Sequence, residues 1–135
     1  MRAVLMGILL CLLFSPIAQA KNPPVEVKVR VEASAWAKSL LLEKMNESGR
    51  LHGLHFDESD QDFAYRVVFG TSQDPTAGQY GQMNDITGSA SVYDAQGNEM
   101  FDFTREGRFT ASGVTNAVAK EIVKRLHTIR SQIPN

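Results

Sequence analysis

A strict two-residue alternation near the start of the chain most constrains its fold. From Val25 to Glu32, every odd position is valine and every even position carries a charged side chain. Successive side chains of a β-strand point to opposite faces, so this pattern predicts a strand with one buried face and one solvated face. The valine face then requires a second layer of structure to cover it.

Two amphipathic segments predict helices that supply this second layer. In the first segment, Ser34 is a candidate N-cap, and Gly49 falls where a left-handed C-terminal cap belongs. Its apolar stripe follows helical spacing and consists of Trp36, Ala37, Leu40, Leu41 and Met45. We expect Trp36 to lie in the core because it belongs to this stripe.

The other amphipathic segment predicts a helix near the C-terminus. Ser112 or Thr115 is its candidate N-cap, and Pro134 falls after its end. Its apolar stripe consists of Val114, Ala117, Val118, Ile122, Leu126 and Ile129. This spacing repeats every three or four residues, as a helix packed on a sheet requires.

The segments between the two helices predict further strands. They cover residues 54–56, 65–69, 86–93 and 100–104. Residues 94–98 predict a tight hairpin turn in which Gly97 takes a positive φ. The order of elements predicts an α+β fold, a two-layer sandwich of a mainly antiparallel sheet of about four or five strands with two helices on one face. The first strand–helix–strand passage also allows parallel pairing, and the strand order is left open.

The N-terminal segment has the layout of a secretory signal. A positive start is followed by an uncharged apolar run over 4–14 and by small residues at Ala18 and Ala20. That run is shorter than the roughly 20 residues that span a bilayer, so we expect cleavage after Ala20 and no transmembrane span in the mature chain. Residues 1–20 are then the signal, 21–24 a lead-in, and 25–133 one α+β domain. The predicted location is the bacterial periplasm or the medium.

The cysteine content and the charge exclude several classes of protein. Cys11 is the only cysteine; because Leu10 precedes it inside the apolar run, lipidation is not expected. The mature chain then has no thiol for a disulfide, for catalysis or for an iron–sulfur centre. The net charge is −1, which gives no basic excess to attract nucleic acid.

No motif in the chain predicts an enzyme or a cofactor site. His52 and His55, followed by Asp57 and Glu58, are the nearest approach to a metal constellation, but Gly53 argues against the helix that would align the two imidazoles. We therefore predict no metal or cofactor. The chain also lacks a nucleophile elbow, and the serines near residue 90 alternate as strand residues do. The protein is predicted not to be an enzyme.

Residues 71–85 predict a long exposed loop, rich in glycine, glutamine and aspartate. Loops of this length are uncommon in small domains and are often functional. Its adaptable side chains predict a partner-binding surface made of Gln79, Tyr80, Gln82 and Met83.

Three segments give the chain a resemblance to a known group of proteins. They are FAYRVVFGTS (63–72), ITGSASVYDAQGNEMFDF (86–103) and GVTNAVAKEIVKRL (113–126). With the first helix, they resemble bacterial envelope domains of the curli-secretion lipoprotein, the activator lipoprotein of penicillin-binding proteins and the N-terminal domain of the Tol–Pal propeller protein. The resemblance covers about residues 25–130 and carries no catalytic motif. It implies a small α/β domain that binds partners or assembles in the envelope, although the acylated cysteine of the lipoproteins is missing.

Two hypotheses for the function follow. The first is a non-enzymatic accessory module that contacts another envelope protein through the loop at 71–85 or through an exposed sheet edge. The alternative is a small-ligand carrier with a pocket between the helices and the sheet, lined by Trp36, Tyr65 and Phe101. The sequence leaves the oligomeric state open.

Overall fold

The computed structural model describes residues 23–73, 86–107 and 110–132. The predicted signal segment, with Ala18 and Ala20, lies outside these ranges. The elements are β1 (Val25–Glu32), α1 (Ala35–Gly49), a short 3-10 turn (Arg50–His52), β2 (Leu54–Glu58), β3 (Tyr65–Gln73), β4 (Ile86–Asp94), β5 (Glu99–Gly107) and α2 (Ala111–Ser131).

The five strands form one sheet in the order β2-β1-β3-β4-β5. The predicted two-layer α+β class is confirmed. The sheet is mixed rather than mainly antiparallel, because β1 pairs in parallel with both β2 and β3, whereas β3–β4 and β4–β5 are antiparallel. The parallel pairing follows from α1, which returns the chain so that β2 runs in the direction of β1.

The chain crosses β1 between β2 and β3. β2 lies beside the first half of β1 and β3 beside its second half, on the opposite side. At the crossing, the Ser59 amide donates to the Val29 carbonyl at 2.9 Å, and the Ala64 amide donates to the Lys28 carbonyl at 2.8 Å. These two bonds fix both ends of the six-residue connection to the same strand.

The core lies between the two helices and one face of the sheet. Val25, at the start of β1, is exposed, but the other three alternating valines, Val27, Val29 and Val31, are buried as predicted. They join buried side chains from both helices and from β2, β3 and β4 in one cluster, which includes Leu41, Met45, Phe56, Val67, Val92, Val118, Ile122 and Leu126. The opposite face carries the charged residues of β1 and is open to solvent.

Helix α1 confirms one predicted cap and corrects two other predictions. The Ser34 hydroxyl accepts a hydrogen bond from the Ala37 amide, as expected. Gly49 is not a left-handed cap: its φ is −61°, and Gly53 makes the left-handed turn at φ 67°. Trp36 is 58% exposed rather than buried, because the buried row runs from Ala37 at four-residue intervals. Trp36 lies about 100° around the helix from that row.

Helix α2 begins earlier than its sequence indicates. Its N-cap is Thr110, whose hydroxyl accepts from the Gly113 amide at 3.1 Å, so the prediction of Ser112 or Thr115 is wrong. Thr115 is instead fully buried and donates to the Ala111 carbonyl at 2.7 Å. The buried stripe also takes in Ala119 and Val123 because α2 packs against α1 as well as the sheet.

The β4–β5 hairpin turn is confirmed. Gly97 has a φ of 88°. The Asp94 carboxylate accepts from the amides of Gln96 and Asn98, and these bonds, led by that from Asn98, hold the pKa of the Asp94 carboxyl below its usual value. The predicted loop at 71–85 begins too early, since residues 71–73 continue the β3 ladder opposite residues 86–88 of β4.

Candidate partner-binding edge

β5 is the outer strand of the sheet at the end away from β2. Within the described ranges, β4 is its neighbour on one side, and its other side has none. An edge strand presents backbone amides and carbonyls that can pair with a strand from another chain. β5 offers nine residues for this purpose, whereas the opposite edge strand, β2, offers five.

Two aromatic rings and a guanidinium lie on the helix-facing side of β5. Phe101 and Phe103 are only partly buried, and their ring centroids lie 6.2 Å apart. The Arg125 guanidinium carbon lies 5.3 Å from the centroid of the Phe101 ring and 4.9 Å from that of Phe103. Beside them runs a groove of about 230 Å³ lined by Met100, Phe101, Lys124, Arg125, Thr128 and Ile129. The groove combines apolar surface with positive charge.

Glu121 holds the two arginines of this region in place. Its carboxylate accepts from Arg125 Nε at 2.7 Å and also binds the Arg105 guanidinium. The hydrogen bond from Arg125, followed by that from Arg105, lowers the pKa of the Glu121 carboxyl, although partial burial opposes the shift. Because Glu121 is mostly buried, it anchors Arg125 above the rings.

We expect the Glu121→Gln variant to be less stable than wild type at neutral pH and to lose less stability in acid. The lowered pKa means that the carboxylate of wild type stabilises the fold fully above its ordinary pKa of 4.5 and loses that contribution as the pH falls through the folded-state value. The side chains of Arg105 and Arg125 are about half exposed. The difference in the free energy of unfolding at neutral pH should therefore be at most about 1 kcal/mol. Thermal unfolding at pH 7 and pH 3 measures it.

Glu43→Gln, at an exposed position of α1, is the matched control for this variant. Its thermal stability should match that of wild type at pH 7 and at pH 3. A Glu121→Gln deficit of the same size at pH 7 and pH 3 would contradict the ion-pair explanation.

The structure does not bring the predicted carrier pocket together. Trp36 is exposed, Tyr65 is buried in the core, and Phe101 lies at the β5 edge. The space between the helices and the sheet is filled by the core cluster. The pocket expected from these three residues is therefore wrong. The predicted contact residues Gln79, Tyr80, Gln82 and Met83 lie outside the described part of the chain and stay a prediction.

The polar side chains of the segment 52–58 lie in three different environments. The His52 ring stacks on that of His127 with centroids 4.4 Å apart, while Glu58 pairs with Lys38 at 3.0 Å. His55 faces Glu26 across the β1–β2 ladder, with Asp57 beside it. The hydrogen bond to Glu26 raises the pKa of His55 and lowers that of Glu26, and a hydrogen bond to Glu26 raises the pKa of Asp57.

A wider groove of about 540 Å³ lies between the end of α1 and the middle of α2. It is lined by Glu47, Ser48, Leu51, His52, Asn116, Lys120 and Lys124. Leu51 is its large apolar side chain and is 84% exposed. None of the residues that line this groove belongs to a strand, whereas Met100 and Phe101 of β5 line the other groove.

The sequence allowed binding at an exposed sheet edge but did not identify β5 as that edge. The alternation of Phe101 and Phe103 is typical of core residues and does not show that β5 is an outer strand. The spacing of Glu121 and Arg125 at i and i+4 was the available signal for an ordered arginine.

Comparisons with known proteins identify a shared fold. No family model matches the chain, and neither does any curated protein. Among solved structures, a minor lipoprotein from Acinetobacter baumannii matches with a TM-score of 0.54 at 13% identity, covering 78% of this chain and 94% of that chain. A PelC dodecamer from Paraburkholderia phytofirmans matches with a TM-score of 0.48 at 14% identity, covering 76% of this chain and 92% of that chain. The Acinetobacter match shows that this fold also occurs in a bacterial lipoprotein.

The helices give one further observation about membranes. In the portion of the chain covered by the structure, no helix is both long and apolar enough to cross a bilayer.

Proposed function

We propose that this protein is a non-catalytic accessory module of the bacterial envelope that binds another envelope protein through the outer edge of β5. The observation that carries the proposal is the nine-residue edge strand beside a groove that Arg125 and Phe101 line. A partner segment in extended conformation would add a strand to the sheet through main-chain hydrogen bonds.

The side chains at the edge define the chemistry of the partner segment. Phe101 and Met100 offer apolar surface to a hydrophobic side chain. Lys124 and Arg125 offer positive charge to a carboxylate at the same place. We therefore infer a partner strand that carries an apolar side chain next to an acidic residue or a C-terminal carboxylate.

The envelope location rests on the sequence and the fold. The N-terminal segment has the layout of a secretory signal, which supports a periplasmic or secreted protein. The fold occurs in the Acinetobacter minor lipoprotein. The resemblance to the curli-secretion, penicillin-binding-protein-activator and Tol–Pal group supports the same location and a binding role rather than catalysis.

Site-specific photo-crosslinking tests the proposal. A photo-crosslinking residue in place of Thr104, an exposed position of β5, should give a discrete heavier adduct when the full chain is expressed in a Gram-negative host. The same residue in place of Ser39, an exposed position of α1, should give none. The Arg125→Ala variant should weaken the Thr104 adduct.

Three outcomes would contradict the edge-binding proposal. They are a Thr104 position without an adduct, an identical adduct from Ser39, and a Thr104 adduct that Arg125→Ala leaves unchanged. A crosslinker in place of Tyr80 tests the predicted contact loop in parallel. An adduct from Tyr80 alone would move the binding surface from β5 to that loop.

A further inference from the structure

We propose that Glu26, His55 and Asp57 form a binding site for a zinc-class divalent cation. The three residues share the open face of the sheet at the β1–β2 pair. Glu26 and His55 are direct register partners, and Asp57 follows two residues later on β2. The pairing of β1 with β2 therefore places all three side chains next to one another on the same face of the sheet.

The distances between the three candidate ligand atoms suit a single small ion. His55 Nδ1 lies 2.9 Å from Glu26 Oε2 and 3.6 Å from Asp57 Oδ1. All three ligand atoms lie within 4.8 Å of one another. Zinc bonds of about 2.0–2.2 Å in a tetrahedral arrangement place neighbouring ligands about 3.4 Å apart. Small side-chain rotations therefore bring the three atoms to one centre.

The ligand types favour zinc over the hard cations. One imidazole with two carboxylates is a set that Zn²⁺ accepts, whereas Ca²⁺ and Mg²⁺ take oxygen ligands, six to eight of them for Ca²⁺. Three protein ligands leave a fourth position for water. The side chains of Glu26, His55 and Asp57 are about half exposed, so an ion reaches them directly from solvent.

The charges around the site leave room for a cation. Two carboxylates at this separation repel each other, and a divalent ion offsets that repulsion more strongly than one imidazolium does. Two cations compete with the ion: Lys28, which is the register partner of Asp57, and Arg50, whose charge acts on His55. The Lys28 ammonium group is paired with Asp62 at 3.1 Å, in the connection between β2 and β3.

Calorimetric titration of the purified chain with zinc chloride tests the site. We expect one saturable site, with calcium and magnesium chloride giving no comparable heat. His55→Ala, Glu26→Gln and Asp57→Asn should each weaken zinc binding at least about tenfold, since even partners outside the ligand sphere are worth about 10–100-fold. His52→Ala is the matched control, because His52 lies three residues earlier but outside the triad, and it should bind zinc as wild type does.

Thermal unfolding gives a second measurement that does not depend on heat of binding. Zinc that bridges β1 and β2 binds the folded state alone, so it should raise the melting temperature of wild type and of His52→Ala but not of His55→Ala. Circular dichroism confirms that each variant is folded. The proposal is overturned if wild type shows no saturable zinc binding, or if His52→Ala abolishes binding while His55→Ala retains it.

Discussion

Replacing Gly88 with alanine is expected to destabilise the protein by about 1–3 kcal/mol, the usual cost of an extra methyl group in a packed core. A Cβ atom at this position of β4 would lie 2.5 Å from Val114 Cγ1 and 2.9 Å from Val118 Cγ2. Valine has one strongly preferred rotamer in a helix, so neither side chain can turn aside. The added methyl group must push α2 away from the sheet. Urea unfolding measures the loss.

Two companion variants separate this clash from the general effect of adding a side chain. Gly70→Ala, on β3, adds a methyl group with nothing within 4 Å and should leave stability unchanged or slightly higher. Val114→Ala removes the nearest obstructing atom, so Gly88→Ala should cost less in the Val114→Ala background, by about 0.5–3 kcal/mol. Equal effects of Gly88→Ala and Gly70→Ala would show that α2 does not approach β4 as closely as the structure shows.

Gly49→Ala should also destabilise the fold by about 1–3 kcal/mol, although helix propensity alone predicts a gain of about 1 kcal/mol. Gly49 is helical, and alanine is the better helix former. Its Cβ atom, however, would lie 2.6 Å from the Leu54 carbonyl oxygen and 3.2 Å from the Phe56 ring. A backbone oxygen in β2 cannot rotate away, so the clash outweighs the propensity. Urea unfolding shows whether Gly49→Ala raises or lowers the free energy of unfolding.

Gly53 provides the contrast for this prediction. It has open space around it but a φ of 67°, so substitution there costs backbone strain rather than a clash. Asparagine tolerates the left-handed region, so Gly53→Asn should be milder than Gly53→Ala. Gly49→Asn should destabilise the fold at least as much as Gly49→Ala, because the obstacle at this position is a steric clash. A stabilising Gly49→Ala would contradict the close contact between α1 and β2.

Local patterns predicted the elements of the fold where neighbouring residues alone decide the outcome. Val27, Val29 and Val31 are buried as their spacing indicates, although Val25 is exposed. The turn at Asp94 and Gly97 is held by hydrogen bonds within residues 94–98. Ser34 caps α1 for the same reason. In each case, the determining interactions lie within a few residues along the chain.

Features that depend on distant segments were not predictable in this way. The exposure of Trp36 depends on which row of α1 faces the sheet. The close approach of Leu54 and Phe56 to Gly49 depends on how β2 packs against α1. Both features follow from the packing of whole elements, which local residue patterns do not specify.

The sites depend on strand order and register, which the sequence left open. Phe101 and Phe103 lie at the edge of the sheet only because β5 is its last strand. Glu26 meets His55 only because the β1–β2 register aligns them across 29 residues of sequence. A one-residue slip in that register would place the two side chains on opposite faces.

The crossing of β1 by residues 59–64 determines how the sheet can open. A five-residue edge strand such as β2 holds few contacts and would ordinarily be among the first segments to fray in hydrogen exchange. Here the Ser59 and Ala64 amides are bonded to opposite sides of β1, so β2 and β3 straddle it. Detaching β2 therefore breaks the Ser59 bond as well as the ladder to β1, while the Ala64 bond still holds the far end of the connection. The connection thus ties the edge strand to the central strand β1 at a point beyond its own five residues.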